Sequence, residues 1–257
     1  MSSIVVIPSY NEARSIRRLL DQVRAAAPDL DVLVVDDGSP DGTALIVAEL
    51  GRRDPRVHLL QRECKQGLGA AYRAGFRWAL SQGYGQIAQM DADLSHPPER
   101  LPALLAALGD ADVAVGSRYV SGGRTEGWPW RRQVLSQAGN VYARRALRLP
   151  VQDATAGFRA YRAPVLEEIG LASVTSGGYC FQIELTLRAL HAGFSITEVP
   201  ITFTERTDGV SKMDGSVVAE ALVKVTGWAL SARLPLSSPP HPDSVRSRPA
   251  LRPAARA

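Results

Sequence analysis

The chain has 257 residues, 45% of them hydrophobic and 22% charged, with a net charge of +4. That is enough for one large domain or two small ones, and the mild basicity suits a phosphate-rich ligand or an anionic surface without choosing between them. Two distant cysteines, Cys64 and Cys180, exclude a disulfide framework and imply reduced thiols; no run of about 18 apolar residues exists, and Pro8 cuts short the first apolar run, so neither a membrane span nor a signal peptide is expected.

Residues 4–7, Ile-Val-Val-Ile, read as a strand buried on both faces, ended by Pro8-Ser9-Tyr10-Asn11 with Asn11 as a helix N-cap. Ile16, Leu19, Leu20 and Val23 repeat at helical spacing, and Pro28 closes that helix. A strand at 31–35 runs into the turn Asp36-Asp37-Gly38-Ser39-Pro40-Asp41-Gly42, followed by a helix over 43–53 and a strand at 57–60. Gly67-Leu68-Gly69 leads into a helix reaching residue 82, and residues 87–90 form the next strand. Pro97 and Pro98 start a helix whose buried stripe is Leu101, Leu104, Leu105 and Leu108; a strand follows at 113–115, then a mobile loop at 122–129. The second half is less regular. A helix is expected over 133–147, a loop or short strand over 153–159, a helix over 181–190 and an edge-like strand over 196–203, broken by Pro200. Residues 217–234 form an apolar-rich helix, and from Pro235 onward Pro, Ser and Arg dominate, too polar to order. Strand–helix alternation predicts an α/β doubly wound, mostly parallel sheet with helices on both faces. Residues 1–213 are read as one folded domain, 214–236 as an amphipathic helix that could face a membrane and 237–257 as a disordered basic tail.

Chemistry concentrates at strand ends, where open α/β sheets bind ligands. Asp91 and Asp93 follow a buried strand two residues apart; in extended geometry both carboxylates face one way and can hold a hard divalent cation together with phosphate oxygens. The same pair could instead cap a turn. Asp36-Asp37 allows the same two readings, as a turn cap or, for Asp37, as an acceptor for N–H donors of a nucleotide base. Tyr10 offers a flat face to a base or ribose, and Glu12 an acceptor for sugar hydroxyls. Arg118 stands just past a strand end, and Arg206 and Lys212 flank the Gly209-Val210-Ser211 turn, each either a solvated cation or a phosphate ligand. Gly67-Leu68-Gly69 is no dinucleotide fingerprint, because Tyr72 occupies the third glycine position. There is no P-loop, no His-Glu-x-x-His zinc motif and no Gly-x-Ser-x-Gly elbow.

Six segments in order carry a resemblance: Pro8-Ser9-Tyr10-Asn11-Glu12, residues 34–43, Met90-Asp91-Ala92-Asp93, Gly116-Ser117-Arg118-Tyr119, Gly157-Phe158-Arg159 and residues 205–213. Together they resemble the polyprenol (dolichol) phosphate mannosyltransferases, inverting family 2 glycosyltransferases with a GT-A fold, and within them the short, span-free bacterial branch of actinobacterial-like composition. The resemblance implies transfer of mannose from GDP-mannose to polyprenyl phosphate, with Mg²⁺ or Mn²⁺ as cofactor. It assigns Pro8, Tyr10, Glu12, Val35 and Asp37 to the nucleoside, and Asp91, Ala92 and Asp93 to the metal-diphosphate region. Arg118, Arg206 and Lys212 fall to the phosphates; because two anions must meet, Arg118 and Arg206 are further expected to neutralise the repulsion between donor and acceptor. Ser95, where the family pattern often carries Gln, would reach the metal through water. It further implies a cytoplasmic protein peripheral to the membrane, working beside a membrane-embedded partner and not binding nucleic acid. A phosphate monoester with a second pKa of about 6 is already anionic and needs no general base. Transfer of another sugar by the same fold, or a non-catalytic nucleotide-sugar module recruited to membranes, are the rival readings. For the helix at 217–234, an interfacial position with Trp228 at headgroup level competes with packing on its own domain.

Overall fold

A computed structural model describes residues 2–205 and 215–231, with side chains over 2–205 and 221–230. Seven strands form the main sheet in the order β3-β2-β1-β4-β7-β5-β8. Four are the expected parallel strands β1 (Ser3–Ser9), β2 (Asp31–Asp36), β3 (Val57–Gln61) and β4 (Gln86–Gln89), and β5 (Val113–Ser117) and β8 (Ile196–Pro200) pair in parallel beyond them. Ile4, Val5, Val6 and Ile7 are all fully buried, as a β-branched run at the centre of a sheet covered on both faces must be.

Two helical layers cover the faces. On one, α3 (Leu68–Ser81) packs Ala71, Tyr72, Phe76 and Ala79 against Ile4, Val6, Leu33 and Val35. It comes so close that a Cβ on Gly75 would stand 2.3 Å from Val6 Cγ1 and 2.9 Å from Val35 Cγ2. On the other, α1 (Ile16–Ala26), α2 (Thr43–Arg53) and α4 (Leu101–Ala106) cover Val5, Ile7, Val32 and Val34. In α1 the residues buried are Ile16, Leu19, Leu20 and Val23, the stripe its spacing predicts.

The connection from β1 to β2 runs toward β3, whereas β4 lies on β1's other side. The strand order therefore reverses between β1 and β4, and a crevice opens there at the carboxyl ends of the strands. β7 (Arg159–Arg162) runs antiparallel between β4 and β5, with Arg159 beside Gln89 and Val115. Its inverted direction brings the preceding loop, residues 153–158, onto the same rim.

Several expectations are corrected. Residues 122–129 contain β6 (Arg124–Glu126), which pairs in parallel with β9 (Thr202–Thr204) in a second, two-stranded sheet. The strand expected over 196–203 is thus two strands: Pro200 ends β8, and the chain crosses to the other sheet after Ile201. Asn11 is not the cap of α1. It adopts φ +60, its N–H is bonded to Ser39 Oγ, and Ser15 precedes the helix. The helix α6 (Ala163–Glu168) was not anticipated.

α5 (Trp130–Leu147), α7 (Gly178–His191) and α8 (Gly215–Ser231) gather at one end around Ala143, Leu149, Val151, Ala154, Ile183 and Val225. Trp228 packs against this cluster, whereas Leu222, Val223 and Leu230 of α8 stay exposed, so the helix has both a packed and an open face. None of the described helices is long and apolar enough to cross a membrane. The tail expected over 237–257 lies outside the described residues.

Candidate active site

The crevice is a cleft of about 410 Å³. Pro8, Tyr10 and Glu12 line it from the end of β1, Asp37 from β2, Asp91, Ala92, Asp93 and Ser95 from the segment after β4, and Arg118 from β5. Nine residues singled out in the sequence, drawn from four strand ends, thus share one cavity. Val35 does not line it: its side chain is in the core beneath α3, so it supports the wall and does not reach the space. Arg206 and Lys212 lie outside the described residues.

The nucleoside end is built by turn chemistry. Asp36 is fully buried and accepts from Ser9 Oγ at 3.0 Å, Ser39 N at 2.9 Å and Ser39 Oγ at 2.6 Å, so here the turn-capping reading holds. Asp37 instead faces the cleft, accepting from Arg62 Nη1 at 2.6 Å and the backbone N–H of Gln66 at 3.3 Å. A carboxylate has about four acceptor positions, so Asp37 keeps capacity for a ligand donor. The Lys65 ammonium lies 4.0 Å from the Tyr10 ring centroid, adding a cation to this wall. Glu12 accepts from Ser15 Oγ at 2.7 Å.

The two carboxylates at the floor are each oriented by a hydroxyl. Tyr72, fully buried on α3, donates to Asp91 Oδ1 at 2.8 Å. Burial first, then the Asp91 charge, push the Tyr72 phenol well above its ordinary pKa, so it remains a donor. Ser95 donates to Asp93 Oδ1 from both its backbone N–H, at 3.1 Å, and its hydroxyl, at 2.5 Å. Ser95 therefore orients Asp93 and still lines the cleft, the place from which it would reach a cation through water. Between them Leu94 is left-handed at φ +61, a conformation that costs about 1–3 kcal/mol and is held by these bonds. The backbone N–H of Asp91 donates to His96 Nδ1 at 3.1 Å, which leaves the neutral ring's proton on Nε2. Burial holds the His96 pKa below its usual value. Gly157 closes this side; a Cβ there would sit 3.3 Å from Asp91 Oδ2.

Asp91 and Asp93 are hard oxygen donors, and among the described residues no cluster of three or more His, Cys, Asp or Glu could hold a metal alone. This donor set fits a hard divalent cation that takes its remaining ligands from water and a ligand's phosphates.

Across the cleft Arg118 is 6% exposed and closely held. Its Nε and Nη2 donate to Asp153 Oδ2 and Oδ1 at 2.7 and 2.6 Å, Nη2 also donates to Thr155 Oγ1 at 2.9 Å, and its backbone N–H reaches Asp153. Tyr119, Trp128 and Phe203 surround the guanidinium at 5.1–5.5 Å from their centroids. Burial alone pushes the Arg118 pKa down; the Asp153 charge and hydrogen bonds outweigh it and raise the value, so the cation is permanent. Arg132 adds a second guanidinium to the cleft, 4.0 Å from the Trp128 ring and paired with Glu205 at 2.5 Å.

Lys65, Tyr72, Arg132, Asp153 and Thr155 were not recognised as site residues from the sequence. Asp153 and Thr155 do lie in the loop that runs into Gly157-Phe158-Arg159, the signal that could have drawn attention to them. Arg159 itself is fully buried and holds that loop from below, donating to the carbonyls of Ala154, Ala156 and Gln182 and to Thr186 Oγ1.

Residues 4–170 match the family model described as glycosyl transferase family 2. The chain is 54% identical over 234 residues to the polyprenol monophosphomannose synthase of Mycolicibacterium smegmatis, covering 90% of this chain and 88% of that protein. It is 51% identical to the undecaprenyl-phosphate mannosyltransferase of Micrococcus luteus, covering 91% and 96%. Among solved structures, the mannosyltransferase PcManGT from Pyrobaculum calidifontis, in complex with GDP-Man and Mn2+, superposes with a TM-score of 0.59 at 20% identity, over 89% of this chain and 64% of that one, a likeness of fold. The match spans the rim from Tyr10 to Arg118 and the sheet has the expected GT-A arrangement: the chain belongs to glycosyl transferase family 2.

Proposed function

We propose that this protein transfers mannose from GDP-mannose to a polyprenyl phosphate, with inversion, giving polyprenyl β-phosphomannose and GDP. One observation carries the reading beyond family membership: a single cleft sets two hydroxyl-oriented carboxylates against a buried, aromatic-boxed arginine. A cation-binding flank and an anion-binding flank are what two phosphate-bearing substrates need if they are to meet without repelling each other.

Tyr10, Glu12 and Asp37 hold the nucleoside at the β1–β2 end, with Lys65 near the diphosphate. Asp91 and Asp93 would hold Mg²⁺ or Mn²⁺, which would supply charge stabilisation for the departing diphosphate. Arg118 and Arg132 align the acceptor phosphate on the opposite flank, and the family resemblance assigns Arg206 and Lys212 to the phosphates as well. The acceptor oxygen is already anionic and attacks without a base. This fits a cleft in which, among the described residues, the one histidine, His96, is buried, neutral and bonded through Nδ1 to the backbone.

The lipid tail leaves beside α5. Trp128 and Arg132 line the cleft, and between them Trp130 is 68% exposed, followed by exposed Val134, Leu135 and Val141. With Leu222, Val223 and Leu230 of α8, these make an apolar surface suited to the membrane interface, peripheral to the cytoplasmic face. In this reading Trp130 takes the headgroup-level position expected of Trp228. Residues 214–236 serve as a membrane-facing extension of a 1–213 catalytic domain, and a membrane-embedded partner would receive the product.

Competition between labelled GDP-mannose and unlabelled UDP-glucose or GDP-glucose tests the donor. Undiminished lipid labelling in excess competitor supports the assignment. Displacement by a glucosyl donor, with glucose appearing in the lipid product, transfers the reading to that sugar.

A further inference from the structure

Arg118 has five N–H donors, and the structure shows where most of them go. Nε and both oxygens of Asp153 form a bidentate pair with Nη2, and Thr155 Oγ1 takes a further bond from Nη2. No hydrogen bond from Nη1 is formed among the described residues, and Arg118 lines the cleft. Asp153 is fully buried and touches no open space. Behind it, Thr155 is held by Asn140 of α5: Asn140 Nδ2 donates to Thr155 Oγ1 at 3.0 Å, and the Thr155 N–H donates to Asn140 Oδ1 at 3.3 Å. Asn140 is itself buried and its Nδ2 also donates to the Ser136 carbonyl. The backbone N–H groups of Gln152 and Asp153 donate to Glu198 of β8, which fixes the loop from its other side.

From this we propose that Asp153, Thr155 and Asn140 are positioning residues for Arg118. They hold the guanidinium in one plane with Nη1 toward the cleft, and Asp153 cancels its net charge, so that Arg118 acts as an aimed donor to the acceptor's phosphate monoester and not as a free cation. The inference rests on the transfer reading above and goes further by assigning a role to Asp153 and Asn140, buried behind the cleft, and to Thr155 at its wall, whose hydroxyl is engaged with Arg118. A pre-aimed donor loses little freedom when the anion arrives, which is how a preorganised site gains over a flexible one. Asn140 also ties this aim to α5, the helix with the exposed apolar face.

The test uses the full chain and two variants, Thr155→Val, isosteric and lacking only the hydroxyl, and Asp153→Asn, which keeps the shape and removes the charge. Binding of a short-chain isoprenyl phosphate is measured by calorimetry, and KM is measured separately for donor and acceptor. The expected result is acceptor binding weakened about 10-fold or more in Thr155→Val, the range of a lost hydrogen bond to a charged group, with the GDP-mannose KM unchanged; in Asp153→Asn, which also frees the Arg118 charge, acceptor binding should become more salt-sensitive. In an Arg118→Lys background, which cannot make the bidentate pair, Thr155→Val should have no further effect. If Asp153→Asn does not fold, Thr155→Val and this cycle decide alone. Equal loss for donor and acceptor, loss that is additive with Arg118→Lys, or no loss at all would overturn the proposal. Failure of the unaltered protein to bind the isoprenyl phosphate would instead overturn the transfer reading beneath it.

Discussion

Replacing Tyr72 by Phe removes one oxygen and little else. The ring keeps its stacking at 5.7 Å on Phe76 and 6.0 Å on Phe181, and the core around α3 keeps its volume. What disappears is the 2.8 Å bond that fixes Asp91 Oδ1. A hydrogen bond to a charged group is worth about 1.5–3 kcal/mol, but Asp91 borders the cleft, where water can replace the donor, so the stability loss should stay near about 1 kcal/mol. The larger effect is on orientation. Losing an outer partner of a metal-binding carboxylate typically weakens metal affinity by about 10–100-fold. Removing a donor also leaves the carboxylate more basic, which acts in the opposite direction; with only two carboxylates available, loss of a fixed geometry should dominate. Mn²⁺ binding in the presence of GDP, followed by electron paramagnetic resonance, should weaken about tenfold while thermal unfolding moves by a few degrees. Unchanged Mn²⁺ affinity in a folded Tyr72→Phe protein would refute the idea that Tyr72 orients the cation site.

Further outcomes follow from the same geometry. Arg118→Ala strands the charge of a fully buried Asp153, so unfolding by urea should show a loss of about 3–5 kcal/mol, part of it recovered when Asp153→Asn is added. His96 is held neutral with a lowered folded pKa, so the unfolded chain alone takes up its proton as pH falls through about 6.5. Stability should therefore drop by up to about 1.4 kcal/mol per pH unit below that point, and His96→Gln, which keeps an acceptor for the Asp91 N–H, should flatten the slope. Gly75→Ala should cost about 1–3 kcal/mol, read by thermal unfolding, because its Cβ would press on Val6 and Val35. Serine at Trp130, Val134 and Leu135 together should reduce flotation with anionic liposomes without changing stability, since all three are exposed.

The fold was legible where local pattern and tertiary environment agree. Residues 4–7 and 31–35 are runs that only a two-face-buried strand accommodates, and Ile16, Leu19, Leu20 and Val23 mark one helix face. β7 was obscure for a physical reason: Arg159 and Arg162 make it look like loop, and burial of Arg159 depends on carbonyls of residues 154, 156 and 182, which nothing local reveals. β6 and β9 are three residues each and exist through pairing with each other. The same division runs through the site. Asp91 and Asp93 announce themselves by spacing, and Tyr10, Asp37 and Arg118 by position at strand ends. Tyr72 bonds across 19 residues and Asp153 across 35, so their partners become evident only once the sheet brings α3, β5 and the loop after α5 together. Ser95 shows the converse: adjacent to the carboxylates in sequence, it bonds locally to Asp93, a partner that spacing alone could suggest.

The most direct test joins the two flanks of the cleft in one reaction. Purified protein is incubated with radiolabelled GDP-mannose, a polyprenyl phosphate and Mn²⁺, and the organic phase is counted before and after mild acid, for the unaltered chain and for Asp91→Asn/Asp93→Asn, with and without chelator. The account predicts an acid-labile lipid product that vanishes on chelation and in the double variant. Lipid labelling that survives either treatment, or label that stays in water with the unaltered protein, would contradict it.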